Sequence, residues 1–287
     1  MVLQYDEGVE LPLAATKCGK TEFRWGERTY VMGVCNLSPD SFSGDGLGDN
    51  IEAVVAQAKR LVADGADIID IGGESTRPTA EPISAEEELR RIIPAITTLA
   101  GELTVPLSID TYKSAVASQA LKAGASLIND VWGLKRDPVL AQVAAKAGVP
   151  VVLVSNQRDT SLSGRSDIIT EVVSSLKQSI SLAMKAGVAE PNIIIDPGIG
   201  FGKSVEQNLE IIHRLAELKV LGQPILLGTS RKFFRSRPFD QRIGATAATV
   251  AIGIANGADM VRVHDVRQMV QVCRMSDAIV GRRPVER

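Results

Sequence analysis

From Tyr30 onward the chain repeats one unit: a short run rich in Val, Ile and Leu, a glycine or polar turn, then a stretch with apolar residues three and four apart. Eight runs qualify, at 30–35, 67–72, 106–110, 126–130, 149–154, 192–196, 224–228 and 259–263. They are nearly continuous in aliphatic residues instead of alternating, the pattern of parallel strands buried on both faces. Helical spacing marks the segments between them, among them Ile51–Ala63, Ala85–Leu99, Ala115–Lys122, Ile168–Lys185, Glu206–Leu218 and Thr246–Ala255. The sequences ADGAD, KAGAS, KAGV and ANGAD place Gly where a helix stops in a left-handed residue and the next strand begins. Eight such units predict an α/β fold, a (β/α)8 TIM barrel with its helices outside, as one domain over 1–287. A doubly wound open sheet is the competing arrangement. Residues 1–29 lie outside the repeat and are expected to form a short hairpin or plug across the barrel bottom.

The bulk properties agree. The 287 residues match the roughly 250 of a typical barrel plus a short extension. Only 4% are aromatic, so the core must come from Ala, Val, Ile and Leu. A formal net charge of −2 gives no basic surplus for a nucleic-acid surface. No stretch of about 18 apolar residues occurs, so no membrane span is expected. The N-terminus lacks the basic start and long apolar run of a signal peptide. Cys18, Cys35 and Cys273 have no paired spacing, which argues against disulfides and for a cytoplasmic location.

In an eight-fold barrel, chemistry sits where strands end and βα loops begin. Those positions carry Asn36, Asp40 and Ser41 after the first run, and Glu74, Ser75, Thr76 and Arg77 after the second. The third ends in Asp110 and Thr111, the fourth in Asn129 and Asp130, the sixth in Asp196. The seventh ends in Thr229, Ser230, Arg231 and Lys232, and the eighth in Arg262, His264 and Asp265. Each alone has a structural explanation. Asp110 or Asp130 would cap the following helix, Asn is a common turn residue, Arg77 would be a solvated loop cation, and His264 a satisfied structural group. His213, inside a helical stretch, is assigned to structure. Jointly, seven of eight strands deliver polar groups to one rim, as a small-molecule site requires.

The residue types say what would bind there. Arg77, Arg262 and His264 with loop N–H groups suit phosphate oxygens. A buried Asp with an Asn suits a flat heterocycle with a guanidine-like edge. Asn36 would complete the oxygen shell of a Mg2+ that keeps several waters and leans on substrate phosphates. DPGIGFGKS is not a P-loop, because Pro197 stands where its first Gly belongs, and GIGFGK fails the dinucleotide fingerprint at Lys203. It is expected to be a turn that lets backbone approach a ligand.

The segments VMGVCNLSPDSFS, ADIIDIGGESTRP, PLSIDTYK, AGASLINDVWGL, NIIIDPGIGFGKSVEQN, GTSRK and MVRVHDVR resemble, in order, the signatures of dihydropteroate synthases. The resemblance implies a transferase of folate biosynthesis that condenses 6-hydroxymethyl-7,8-dihydropterin pyrophosphate with p-aminobenzoate. It implies Asn36 as the protein ligand of Mg2+, and Asp40, Thr76 and Arg77 on two loops that close over substrate. Asp110, Asn129, Asp196 and Lys232 would line the pterin pocket, with Phe201 near the p-aminobenzoate ring. Arg262 and His264 would grip the pyrophosphate. A homodimer is expected, with the apolar helix Met269–Val280 as its candidate interface.

Two departures stand out. The family's fifth strand usually ends in a Met-His-Met-like run, where this chain has LVSNQRDT, with Ser155 near the place of the His. Phe233 follows the SRK lysine where Ser is common, beside the p-aminobenzoate site; Phe233 and Phe234 are expected to weaken sulfonamide binding more than substrate binding. The alternatives are a non-catalytic pterin-binding paralogue, favoured by LVSNQRDT, and a methyltetrahydrofolate-binding methyltransferase, which would need neither SRK nor RVHD.

Overall fold

The computed structural model describes residues 13–37, 50–75, 81–158, 167–234, 236–238 and 240–282. A two-stranded antiparallel hairpin, β1 (Thr16–Cys18) and β2 (Thr21–Phe23), precedes eight parallel strands. These are β3 (Tyr30–Asn36), β4 (Ile68–Gly72), β5 (Leu107–Asp110), β6 (Leu127–Asp130), β7 (Val151–Val154), β8 (Ile193–Asp196), β9 (Leu226–Leu227) and β10 (Met260–Val263). Hydrogen bonding runs β8-β7-β6-β5-β4-β3-β10-β9, and a parallel bridge between Ile195 and Ile225 joins the two ends into a ring. The open-sheet alternative is thereby excluded.

Eight helices cover the ring. They are α1 (Ile51–Ala63), α2 (Ala85–Glu102), α3 (Ser114–Ala123), α4 (Val139–Ala147), α5 (Ile168–Lys185), α6 (Val205–His213), α7 (Ile243–Ala255) and α8 (Val266–Ile279). α3 ends as the glycine pattern predicts: Gly124 has φ +122°, and its N–H returns to the carbonyls of Ala120 and Leu121. α6 is shorter than its apolar spacing predicts. A capping box, Ser204 with Gln207, starts it. Asn256 Nδ2 then takes the carbonyls of Ile212 and His213 at 2.8 and 3.0 Å, and the chain continues as a 3-10 turn over Leu215–Leu221.

Strand residues alternate between two apolar cores. Val31, Ile69, Ile128, Val151, Ile193 and Val261 face the helices and pack with residues such as Val54, Ala58 and Leu61 of α1. Met32, Ile68, Leu127, Val152, Ile194, Leu226 and Met260 face inward. The inner core continues into the hairpin through Cys18, Phe23 and Trp25. Thr16 Oγ1 donates to the Pro191 carbonyl at 2.6 Å, and the Cys18 thiol to the Ser126 carbonyl at 3.3 Å. Both acceptors lie just before strands, so the hairpin closes the end from which strands start. The expected plug is present.

Inward positions are apolar near the plug and ionisable near the opposite mouth. Asp70, Ser108, Asp110, Asn129, Asp196 and Arg262 occupy the upper layers, paired in register as Asp70 with Ser108 and Asp110 with Asn129. A fully buried aromatic at the plug holds the lower layer: Phe23 packs edge-on against Tyr30, with ring centroids 4.8 Å apart. Phe23→Ala should lower unfolding free energy by about 3–5 kcal/mol in chemical denaturation. A loss within about 0.5 kcal/mol would show that the hairpin is not part of the core.

Candidate active site

Two glycines mark where the polar side chains converge. A Cβ on Gly72 would lie 3.7 Å from Asn36 Oδ1 and 3.7 Å from Asp110 Oδ2. One on Gly228 would lie 3.6 Å from Asp196 Oδ2, 3.7 Å from Lys232 Nζ and 3.9 Å from Arg262 Cβ. The two groups are joined by Arg262, whose Nη2 donates to Asp110 Oδ2 at 2.7 Å and whose Nε donates to Asp70 Oδ2 at 2.6 Å. Asn129 Nδ2 donates to the same Asp70 oxygen at 3.1 Å. Asn36, Asp110, Asn129, Asp196, Lys232 and Arg262, expected from strand ends more than two hundred positions apart, share one mouth.

Asp70 was not expected among them, and it is the most buried member, with no exposed surface. Its signal was present: an acid in the middle of DIIDIG is rare in a strand buried on both faces unless it is paired. It also changes the picture of Arg262. Two of its guanidinium nitrogens are committed to carboxylates inside the barrel. The side chain is held in place before any ligand arrives.

The electrostatics follow from burial. Asp110 is pushed up to about 7, by desolvation first, against the pull of Arg262, with Asp70, Glu88 and Asp130 adding like charge. Asp196 is also raised by burial, opposed by Lys232, the Gly198 N–H, Lys203 and Arg262. Its Oδ1 accepts from that N–H at 2.6 Å. His264 is held well below the ordinary histidine range by burial and by Arg231, Arg262 and Lys232, so its imidazole is neutral at neutral pH. Ser230 Oγ accepts the His264 backbone N–H at 3.2 Å and lies 2.9 Å from Nδ1. With that hydroxyl donating to Nδ1, Nε2 carries the ring proton.

Lys232 Nζ donates to the Ile199 carbonyl at 2.7 Å and stands 4.7 Å from the centroid of the Phe201 ring. Phe201 is buried, with Arg158 also 4.7 Å from its centroid. Phe233 is half-buried and lines a cavity of about 770 Å3 with Lys232, Arg158, Lys203 and residues of α6 and α7.

Other rim residues are structural. Asp130 accepts the N–H groups of Trp132 and Leu134, so it caps the turn after β6 and not the following helix α4, which starts only at Val139. Thr111 Oγ1 accepts the Lys113 N–H. Glu74 takes Lys113 Nζ and the Ile83 N–H. Arg231 makes a bidentate pair with Asp265. Asp40, Ser41, Thr76 and Arg77 lie outside the described residues.

The glycine-rich turn after β8 packs closely on the chain after β7. Gly198 has φ +72°, and a Cβ there would lie 2.1 Å from the Ser155 carbonyl oxygen. One on Gly202 would meet backbone of Gln157 and Arg158 at 2.5–2.7 Å. The glycines let this loop pack on the chain after β7 and carry Phe201 into place. Among the described residues, no helix is long and apolar enough to cross a membrane.

Removing one carboxylate tests the coupling. In Asp70→Asn, Asp110 loses a like-charged neighbour and keeps Arg262 to itself. Its carboxyl, protonated below about 7 in the parent, should titrate at lower pH by infrared difference spectroscopy. An unmoved titration would mean the carboxylates are independent.

The described geometry coincides with known relatives. The family model "Pterin binding enzyme" matches residues 32–264. A dihydropteroate synthase of Clostridium beijerinckii is 49% identical over 271 residues, covering 93% of this chain and 100% of that protein. The crystal structure of a Clostridium difficile dihydropteroate synthase in the presence of pteroic acid superposes with a TM-score of 0.84 at 48% identity, covering 90% of this chain and 98% of that one. A Xanthomonas albilineans dihydropteroate synthase with 4-aminobenzoic acid superposes with a TM-score of 0.85 at 38% identity, covering 93% and 98%. The match runs from the start of β3 to the end of β10 and takes in every strand that feeds the mouth, so the chain belongs to the dihydropteroate synthase family of pterin-binding transferases.

Proposed function

We propose that this mouth condenses 6-hydroxymethyl-7,8-dihydropterin pyrophosphate with p-aminobenzoate, releasing pyrophosphate and 7,8-dihydropteroate, with the following roles. The convergence of Asp196, Lys232 and Arg262 on Gly228, tied through Asp110 to Asn36, carries the reading. Asp196, Asn129 and Asp110 receive the pterin, their oxygens accepting its N–H groups. Lys232 binds beside Asp196 and sets Phe201 as a wall for p-aminobenzoate. The relatives solved in the presence of pteroic acid and with 4-aminobenzoic acid support this choice of substrates.

The chemistry is charge separation. The C–O bond to pyrophosphate breaks, leaving positive charge on the pterin methylene. The arylamine nitrogen attacks that carbon and gives up a proton. Buried carboxylates stabilise the positive charge as it develops, and no covalent protein nucleophile is needed. His264, neutral and with its Nε2–H free of the Ser230 contact when that hydroxyl donates to Nδ1, donates to the departing pyrophosphate, and Arg262 supplies the fixed cation behind it. Asp40, Thr76 and Arg77, outside the described residues, take from the resemblance the task of excluding water from the bound pair.

The reaction calls for Mg2+, and Asn36 suits it. Its carboxamide oxygen stands at the mouth beside the Asp110 carboxylate. No group of three or more His, Cys, Asp or Glu that could hold a metal occurs among the described residues, so an ion here would keep waters and lean on pyrophosphate oxygens. Bound there, it would neutralise charge on the leaving group. The protein would work in the cytoplasm as a homodimer. Exposed Met275 and Ile279, one turn apart on α8, support that helix as the interface.

The deciding experiment incubates the protein with pterin pyrophosphate, Mg2+ and p-aminobenzoate. Pyrophosphate and dihydropteroate should appear together; pterin binding without release would favour a binding paralogue. Asp196→Asn should weaken pterin affinity by about ten- to a hundredfold, the scale of a charged hydrogen bond. Unchanged affinity would remove it from the pocket. Phe233→Ser should tighten sulfonamide inhibition more than it changes the KM for p-aminobenzoate. Equal inhibition constants in parent and variant would clear Phe233 of any part in drug selection.

A further inference from the structure

Lys203 has no place in the roles above, yet its ammonium is fully coordinated. Its Nζ donates to the carbonyls of Ser155 at 2.7 Å, Gly198 at 3.0 Å and Phe201 at 3.3 Å. All three acceptors are backbone. An ammonium offers three donors, and here each has an acceptor, one just after β7 and two in the loop after β8. We propose that Lys203 is a positioning residue for the synthase reaction: its ammonium pins the loop after β8 to the end of β7 and thereby fixes the Phe201 ring against which Lys232 and the arylamine are placed. The inference rests on the reading of Phe201 as the wall of the p-aminobenzoate compartment.

The local construction supports it. The loop carries three left-handed glycines, Gly198, Gly200 and Gly202, with φ of +72°, +80° and +77°. Such a loop has little conformational preference of its own. Two of these glycines press on backbone of Ser155, Gln157 and Arg158. The approach brings carbonyl oxygens together, and an inward cation offsets their repulsion. The Phe201 N–H also donates to the Gly198 carbonyl at 3.1 Å, and its carbonyl accepts the Gln157 N–H at 3.3 Å. Next to the pinned segment, the Ile199 carbonyl holds Lys232. Burial draws Lys203 down to about 7, opposed by Asp196 and aided by Lys232, Lys135 and Arg158, so the ammonium that makes these three bonds is held against desolvation and is lost as pH rises above neutrality.

The test compares Lys203→Met, Phe201→Ala and the double variant by steady-state kinetics. Lys203→Met should raise the KM for p-aminobenzoate about tenfold and change that for pterin pyrophosphate by less than about twofold. The double variant should be no worse than Phe201→Ala, because both act through the same ring. Lys203→Arg, which keeps a cation, should recover part of the loss. A wild-type KM in Lys203→Met beside an impaired Phe201→Ala overturns the proposal and leaves the reading of Phe201 standing. Wild-type values in both overturn both. Fully multiplicative losses in the double variant also overturn it. If Lys203→Met does not fold, Lys203→Gln, which removes the charge but keeps a polar side chain, takes its place: a KM for p-aminobenzoate indistinguishable from wild type overturns the pinning role.

Discussion

The mouth of this barrel is organised by one guanidinium. Arg262 reaches inward from β10 and is held by Asp70 from β4 and Asp110 from β5, across the axis of the ring. A lone charge at that depth would be prohibitive, and a pair is only marginally favourable. Two carboxylates around one cation leave a local excess of negative charge, and the cost of burial appears in Asp110, which is raised to about 7. The arrangement is therefore better understood as preorganisation than as stabilisation. It fixes Asn129 through the shared Asp70 oxygen and sets the field into which Asp196 and Lys232 project.

Much of this was legible in the linear chain because barrel physics is periodic. Continuous Val and Ile runs announce strands buried on both faces, and all eight appear within a few residues of their expected limits. Strand ends announce the mouth, so position put Asn36, Asp110, Asn129, Asp196, Lys232 and Arg262 on the rim, and the family resemblance singled them out from the other polar residues there. What escaped was whatever depends on contact between distant turns. Asp70 sits one inward layer below the strand end, where a rule about rims does not look. The glycines after Asp196 were assigned to a ligand, because sequence cannot show that the close neighbour is the Ser155 carbonyl. α6 ends early because Asn256, forty-three positions away from His213, captures its last carbonyls.

The two halves of the site are built by different means. Asp70, Asp110 and Asn129 hang from strands, whose inward positions are rigid and set by register. Phe201, Lys232 and Phe233 hang from loops after β8 and β9, placed by carbonyl contacts and left-handed residues such as Arg231 at φ +59°. Strand-borne geometry tolerates little change, whereas loop-borne geometry can vary without disturbing the barrel. The departures from the family's pattern, Ser155 just after β7 and Phe233 after β9, both lie beyond strand ends.

The hairpin that seals the lower end has a kinetic consequence. With Phe23, Trp25 and Tyr30 stoppering the bore, the described ring is a cup closed at that end. Whatever lies deepest in a cup must enter first and leave last. On the proposed roles the heterocycle would sit deepest, on Asp110, Asn129 and Asp196, with the arylamine nearer the lip, and traffic would become a queue. The order of arrival would then be imposed at the end of the molecule farthest from the chemistry.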